Sequence, residues 1–221
     1  MRRDLKKNTA EVSPAVINRL PRYYRYLREL LRQGILRISS GELSEKMNVT
    51  ASQIRQDLNC FGGFGQQGYG YNVTYLCSKI SDILGVSNGF TSVIVGTGNM
   101  GRALAGSTMF EHRGVNLIGL FDNAPSVIGQ IVDGYQVMDV ETLPAFAEKY
   151  HIDIAILTVP KAEAETVAQK ILSSGIRAIW NFSSAEILQE NPVAIVENVH
   201  MGDSLMKLMY ELRTAEENTG R

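Results

Sequence analysis

Cysteine is nearly absent from this 221-residue chain, which holds only Cys60 and Cys77. They form no CxxC pair and are too few for a disulfide framework, so both read as reduced thiols. Histidine is as scarce: His112, His151 and His200 are scattered without metal-ligand spacing, and no metal site is expected. No stretch reaches the ~18 consecutive apolar residues of a membrane-spanning helix. The opening MRRDLKKNTAEV has basic residues but no apolar run behind them, unlike a secretory signal. The expectation is a cytoplasmic protein with no membrane partner. With 44% hydrophobic and 20% charged residues, the composition is that of a globular chain able to bury a sizeable core.

The net charge of -1 conceals an uneven distribution. Residues 1–80 hold 13 Lys+Arg against 6 Asp+Glu, a balance of +7, and residues 81–221 hold 9 against 17, a balance of -8. A basic amino-terminal module is attracted to polyanions by neutralising phosphates, whereas an acidic one is repelled. Two solvated faces of unequal charge would give the same arithmetic.

Within the basic module, Ser13-Pro14 starts a helix carrying Val16, Ile17 and Leu20, which Pro21 is expected to end or kink. A second stripe then follows from Tyr23 to Leu31, with arginines on another face and Gly34 as its stop. Two capping-box patterns come next, Ser39 with Glu42 and Thr50 with Gln53, leaving only Asn48-Val49 between two short helices. That spacing reads as a helix-turn-helix whose second helix, Ala51 to about Cys60, offers Ser52, Gln53, Arg55 and Gln56 to base edges or phosphates. The glycine-rich, aromatic segment 61–71 suits a two-stranded hairpin, which behind such a motif is a wing. A small helical bundle for protein contacts is the alternative.

In the acidic module the strand pattern Phe90–Val95 runs into Gly96-Thr97-Gly98-Asn99-Met100-Gly101 and then a helix. A GxGxxG between strand and helix is the context of a dinucleotide-binding turn: the first glycine allows the turn, the second lets the backbone approach a pyrophosphate, and the third lets the helix pack on the sheet. A second strand, Val115–Phe121, ends at Asp122, 21 residues beyond Gly101, where a carboxylate can bind an adenosine ribose and repel a 2′-phosphate. NADH or NAD+ is therefore the expected cofactor, with Asp122 as a plain turn residue the competing reading. Further alternation of strands and helices predicts a doubly wound parallel sheet. Its strand ends point to Thr158, Pro160, Asn181, Phe182 and Ser183 as ligand-facing. About 130 residues after position 90 leave no room for a substrate domain, which sets an NAD-dependent oxidoreductase behind a binding protein. The tail carries Met201, Leu205, Leu208, Met209 and Leu212 at helical spacing, to pack on its own domain or be exchanged between protomers.

These motifs, in this order, resemble the redox-sensing transcriptional repressors called Rex. The resemblance runs from about Val12 to Leu212, through Ile17–Arg25, Arg37–Ser40, Ile54–Leu58, Phe61-Gly62, Gly68–Asn72, the glycine motif, Phe121-Asp122, Leu157–Pro160, Asn181-Phe182 and Glu197–Val199. It implies an α/β protein with an amino-terminal winged helix-turn-helix domain over 1–85 and a Rossmann NAD(H)-binding domain over 86–200. A carboxyl-terminal helix and tail over 201–221 would be swapped between the subunits of a homodimer. It also implies binding to palindromic double-stranded operator DNA, release by NADH, and no catalysis. Carried onto matching positions, it adds Arg19, Arg37, Ser39, Ser40, Gln66 and Gln67 to the DNA contacts and Met201 to the cofactor contacts. Three departures stand out. Gln66-Gln67 replaces a basic wing residue, Ser107 stands where a tyrosine is usual, and His200 where an aspartate follows the Asn-Val pair. The last two, with Arg25, match the family's switch, so here a carboxylate-to-arginine latch lacks its carboxylate.

Overall fold

A computed structural model describes residues 12–62, 65–66, 70–188 and 194–219. The chain divides into two compact units, Met1–Asn88 and Gly89–Arg221.

The first unit begins with α1 (Pro14–Arg32), followed by β1 (Arg37–Ile38), α2 (Ser40–Met47), α3 (Ala51–Asn59), β2 (Gly65–Gln66), β3 (Gly70–Asn72) and α4 (Val73–Ile83). Helix α1 runs unbroken through Pro21, against the expected break. Pro21 and Ile17, whose carbonyl loses its partner, are both exposed, while Leu20, Tyr23, Leu27 and Leu30 form one buried face across that point. Burying that face offsets a proline cost of about 3 kcal/mol. The turn after α2 is made by Asn48 in the left-handed region (φ 50°), which asparagine tolerates better than most side chains. Strands β2 and β3 pair antiparallel and β1 joins them, giving the order β1-β3-β2 and the expected hairpin behind α3. Helix α4, not foreseen, is capped by Asn72, whose Oδ1 accepts from the Tyr75 N–H at 2.8 Å, and it packs with α1.

The second unit holds β4 (Phe90–Val95), α5 (Asn99–Ala105), β5 (Val115–Asp122), β6 (Ile131–Val132), β7 (Tyr135–Asp139), α6 (Leu143–Tyr150), β8 (Ile154–Leu157), α7 (Lys161–Ser173), β9 (Ala178–Asn181), β10 (Ile195–Asn198) and α8 (Met201–Thr219). The sheet order is β10-β9-β8-β4-β5-β7-β6, all parallel except the short edge strand β6. Two-residue alternation sends Val93, Val95, Phe121 and Leu157 into one core and Ile94, Leu120, Val137 and Ile156 into the other, as a sheet covered on both faces requires. Strand order reverses between β4 and β8, so the crevice where a doubly wound sheet takes ligands opens at Gly96 and Thr158. Helix α8 is unlike the rest. Its described side chains, Thr214 excepted, are exposed, including Leu205, Leu208, Met209 and Leu212.

Candidate functional site

In the first unit the exposed side of the helix-turn-helix is assembled by caps. Ser39 Oγ accepts from the Glu42 N–H while Glu42 accepts from the Ser39 N–H, a complete capping box. Thr50 Oγ1 accepts from the Gln53 N–H, but Gln53 does not return the bond. Its side chain turns inward and donates to Asp57 Oδ1 at 2.8 Å. Arg55 Nη1 donates to Ser40 Oγ at 3.0 Å, so α2 holds one edge of the guanidinium of an exposed residue on α3. Ser52 and Gln56 are exposed beside it, and Arg37 is exposed on β1. Gln66 lies on β2, whereas Gln67 lies outside the described residues.

Arg19 is engaged within the unit. Its guanidinium donates to both oxygens of Asp57, Nε at 2.6 Å and Nη2 at 2.7 Å, and the Tyr23 hydroxyl adds a third bond at 2.9 Å. The Asp57 side chain is fully buried. Burial pushes its carboxyl up, yet hydrogen bonds from Arg19, Gln53 and Tyr23 outweigh this and hold it below its ordinary value. Arg19 is raised by the same bond, and the Tyr23 phenol is raised by burial and by Asp57. Arg19 therefore ties α1 to α3, a structural role beside the DNA contact expected of it. Asp57 escaped the sequence reading because an aspartate in a polar helix looks solvent-facing.

In the second unit the glycine loop follows β4. Gly96 has φ +100°, and a Cβ there would stand 2.7 Å from the Thr158 carbonyl oxygen, so both the turn and the close approach to β8 require glycine. A Cβ on Gly101 would meet the Gly96 carbonyl oxygen at 2.0 Å. At Gly98 a Cβ would meet nothing within 4 Å, which leaves open space beside the backbone at the start of α5. The loop is braced from below: Thr158 Oγ1 donates to the Gly96 carbonyl at 2.6 Å, and Arg102 Nε donates to the Thr97 carbonyl at 2.9 Å. Arg102 went unremarked in the sequence. Asn99 and Met100 open α5, whose first N–H groups have no intrahelical acceptor.

Asp122 is a turn residue, the competing expectation, and it also braces the glycine loop. As a turn residue it accepts from the Ala124 N–H at 3.0 Å, and as part of the loop its Oδ2 accepts from the Thr97 N–H at 2.6 Å and hydroxyl at 2.7 Å. Burial raises its carboxyl, but those bonds prevail and keep it below the ordinary value. It also lines a cavity of about 330 Å³ with Val95, Gly96, Val140, Val159 and residues of α7. A carboxylate beside apolar walls, adjoining a glycine loop, fits a base and its ribose.

The remaining expected residues divide. Pro160 caps α7 beside this cavity. Asn181 is fully buried and saturated: its Nδ2 donates to the Ala185 carbonyl and to Asn198 Oδ1, and its Oδ1 accepts from the Ser183 amide and hydroxyl. Asn181 and Ser183 hold a loop, with no donor left for a ligand on the asparagine. Phe182 packs edge-on against Trp180 at 4.5 Å. Met201 is exposed at the start of α8. Ser107 Oγ accepts from the Met109 N–H at 3.2 Å, and Arg25 lies over the Tyr26 ring at 5.7 Å. His200 faces a carboxylate of its own unit, with Nε2 3.6 Å from Glu186 Oε2.

Together the two units define a class, a winged helix-turn-helix carried on the same chain as a Rossmann dinucleotide-type fold. Comparison with known proteins narrows it. A family model described as "Putative DNA-binding protein N-terminus" matches residues 11–59, and one described as "CoA binding domain" matches residues 89–185. The redox-sensing transcriptional repressor Rex of Thermoanaerobacter pseudethanolicus is 52% identical, over 93% of this chain and 92% of that protein. Its counterpart from Clostridium botulinum (strain Hall) is 50% identical, over 93% and 96%. The crystal structure of RSP in complex with β-NAD+ and operator DNA has a TM-score of 0.87 and 50% identity, covering 96% of this chain and 97% of that one. RSP in complex with β-NADH gives 0.87 and 47%, covering 96% and 99%. The chain belongs to the Rex family of redox-sensing transcriptional repressors.

Proposed function

We propose that this protein is a cytoplasmic homodimeric repressor that holds palindromic operator DNA and is released when NADH binds, so that it reports the NADH/NAD+ ratio and catalyses nothing. The observation that carries the proposal is the union, in one chain, of a capped reading helix presenting Arg55 and a glycine loop with open space at Gly98 beside a carboxylate-lined cavity. Solved relatives bound to NAD+ with operator DNA and to NADH support it. The reading part is 1–85, with Ser52, Arg55, Gln56, Arg37 and Ser40 toward DNA. The nucleotide part is 86–200: residues 96–101 take the pyrophosphate, Asp122 the adenosine ribose, and Thr158 and Pro160 the crevice wall. The tail 201–221 joins the dimer, since the exposed apolar residues of α8 suit a second copy of the chain.

Titration of a labelled palindromic operator with NADH and with NAD+ tests this reading. Dissociation by NADH alone is expected, and operator binding indifferent to both would overturn it. In the same assay Arg55→Ala is expected to weaken operator binding by about 1–3 kcal/mol, since Arg55 is anchored by Ser40 yet exposed; unchanged affinity at moderate salt removes it from the interface. For the cofactor, Asp122→Ala is expected to lower NADH affinity by about tenfold and to narrow the preference over NADPH, because a ribose acceptor and a repulsive charge go together. Calorimetric titration of both dinucleotides checks this. A second reading, a weakened redox response, is favoured by His200 meeting Glu186, with no carboxylate at that position to engage Arg25. The NADH arm of the operator titration, compared with His200→Asp, decides between the two: a larger NADH effect in the variant supports the weakened response.

A further inference from the structure

The cavity beside Asp122 carries more negative charge than one ribose needs. Its ionisable lining groups are Asp122, Glu141, Glu163 and Lys170. Lys170 on α7 donates to Glu141, so that pair cancels. Two carboxylates remain, Asp122 at the end of β5 and Glu163 on α7. Asn123, the residue after Asp122, donates from Nδ2 to Glu163 Oε2 at 3.0 Å, which ties the second carboxylate to the neighbour of the first in the lining of one cavity. Glu163 stands in the first turn of the 13-residue α7, where its N–H bonds the Pro160 carbonyl and a negative charge is favoured by the helix dipole. Placing a lone acid there serves no core and no ion pair among the described residues.

We infer that Glu163, held by Asn123, is a second specificity determinant that excludes adenosine ligands bearing a 2′-phosphate, so that Asp122 is not the sole barrier to NADPH. The inference rests on the dinucleotide reading above. A phosphate monoester approaching a ribose bound at Asp122 brings close to two negative charges near both carboxylates, and repulsion at separations of about 6 Å is worth roughly tenfold in affinity per carboxylate even with water-like screening.

Full-length wild type, Glu163→Gln, Asp122→Asn and the double variant are titrated with NADH and NADPH, following nicotinamide fluorescence, at low and moderate salt. Glutamine keeps the acceptor for Asn123 and removes only the charge. The NADPH-to-NADH affinity ratio is expected to rise about tenfold in Glu163→Gln and by a similar further factor when added to Asp122→Asn. Salt should raise the wild-type ratio and barely move that of the double variant, since screening acts only on charges that are present. Glu163→Asp, which keeps the charge, should behave as wild type. A ratio within twofold of the parent in both backgrounds overturns the inference while leaving NADH binding intact. A wild-type chain that binds neither dinucleotide overturns the dinucleotide reading and the inference with it.

Discussion

Replacing Arg19 by methionine is expected to destabilise the amino-terminal unit by about 3 kcal/mol, the lower end of the cost of stripping a buried charge of its partner. The lower end applies because the Arg19 side chain is 29% exposed while that of Asp57 is 0% exposed. The sign of the pH dependence is expected to reverse as well. In the wild type the Asp57 carboxyl sits below its ordinary value, so its contribution is present above the unfolded value of about 4 and is lost as pH falls through the native value. Without Arg19, burial dominates and the native value rises above the unfolded one. Stability is then greatest in acid and declines as pH rises through the raised value. Amide hydrogen exchange in α1 and α3 of the full chain, between pH 3 and 7, measures both effects; a loss below 1 kcal/mol with unchanged slope would count against the network. Adding Asp57→Asn to Arg19→Met should restore most of the stability, because no charge is then left buried. Operator affinity of that double variant near the wild-type value separates a scaffold arginine from a DNA-reading one.

Gly101→Ala is expected to abolish NADH binding at any practical concentration and to destabilise the second unit by about 1–3 kcal/mol, the usual cost of forcing a methyl group into packed space. The added Cβ would lie 2.0 Å from the Gly96 carbonyl oxygen and 3.0 Å from Thr158 Oγ1, and neither can yield without moving the loop off β8. Gly98→Ala supplies the contrast. Its backbone (φ -66°) accepts any residue and its Cβ would meet no protein atom within 4 Å, so stability should stay within about 0.5 kcal/mol while NADH affinity falls, the methyl taking the space left for the ligand. Thermal melts and NADH titrations of the two variants should therefore separate. Equal destabilisation would mean that the three glycines serve packing alone.

Much of this was written locally in the chain. Ser39 with Glu42, the Asn48-Val49 turn and the Thr50 cap specify two short helices at a fixed spacing, and strand-GxGxxG-helix specifies the nucleotide turn, because each rests on backbone chemistry within a few residues. Periodicity likewise located β4 and β5 and the alternation of strands and helices that follows them. The strands β6, β7 and β10 escaped it, and in β6 two residues carry too little pattern to read as a strand. Helix α4 escaped because Asn72 serves both as the end of the wing strand and as a cap.

By itself, then, the sequence determined a basic helix-turn-helix with a wing and an acidic Rossmann unit with Asp122 at the end of its second strand. Tertiary structure alone decided which polar groups are free to act. Arg19 and Arg55 are both helical arginines, yet one is consumed by a buried carboxylate 38 residues away and the other stays exposed. Asn181 looked like a ligand and is saturated by loop partners, while Pro21 looked like a helix end and is carried through by a buried face. The reason is common to all of them. Burial and hydrogen-bond saturation depend on partners distant in sequence, and neither capping rules nor periodicity contains that information.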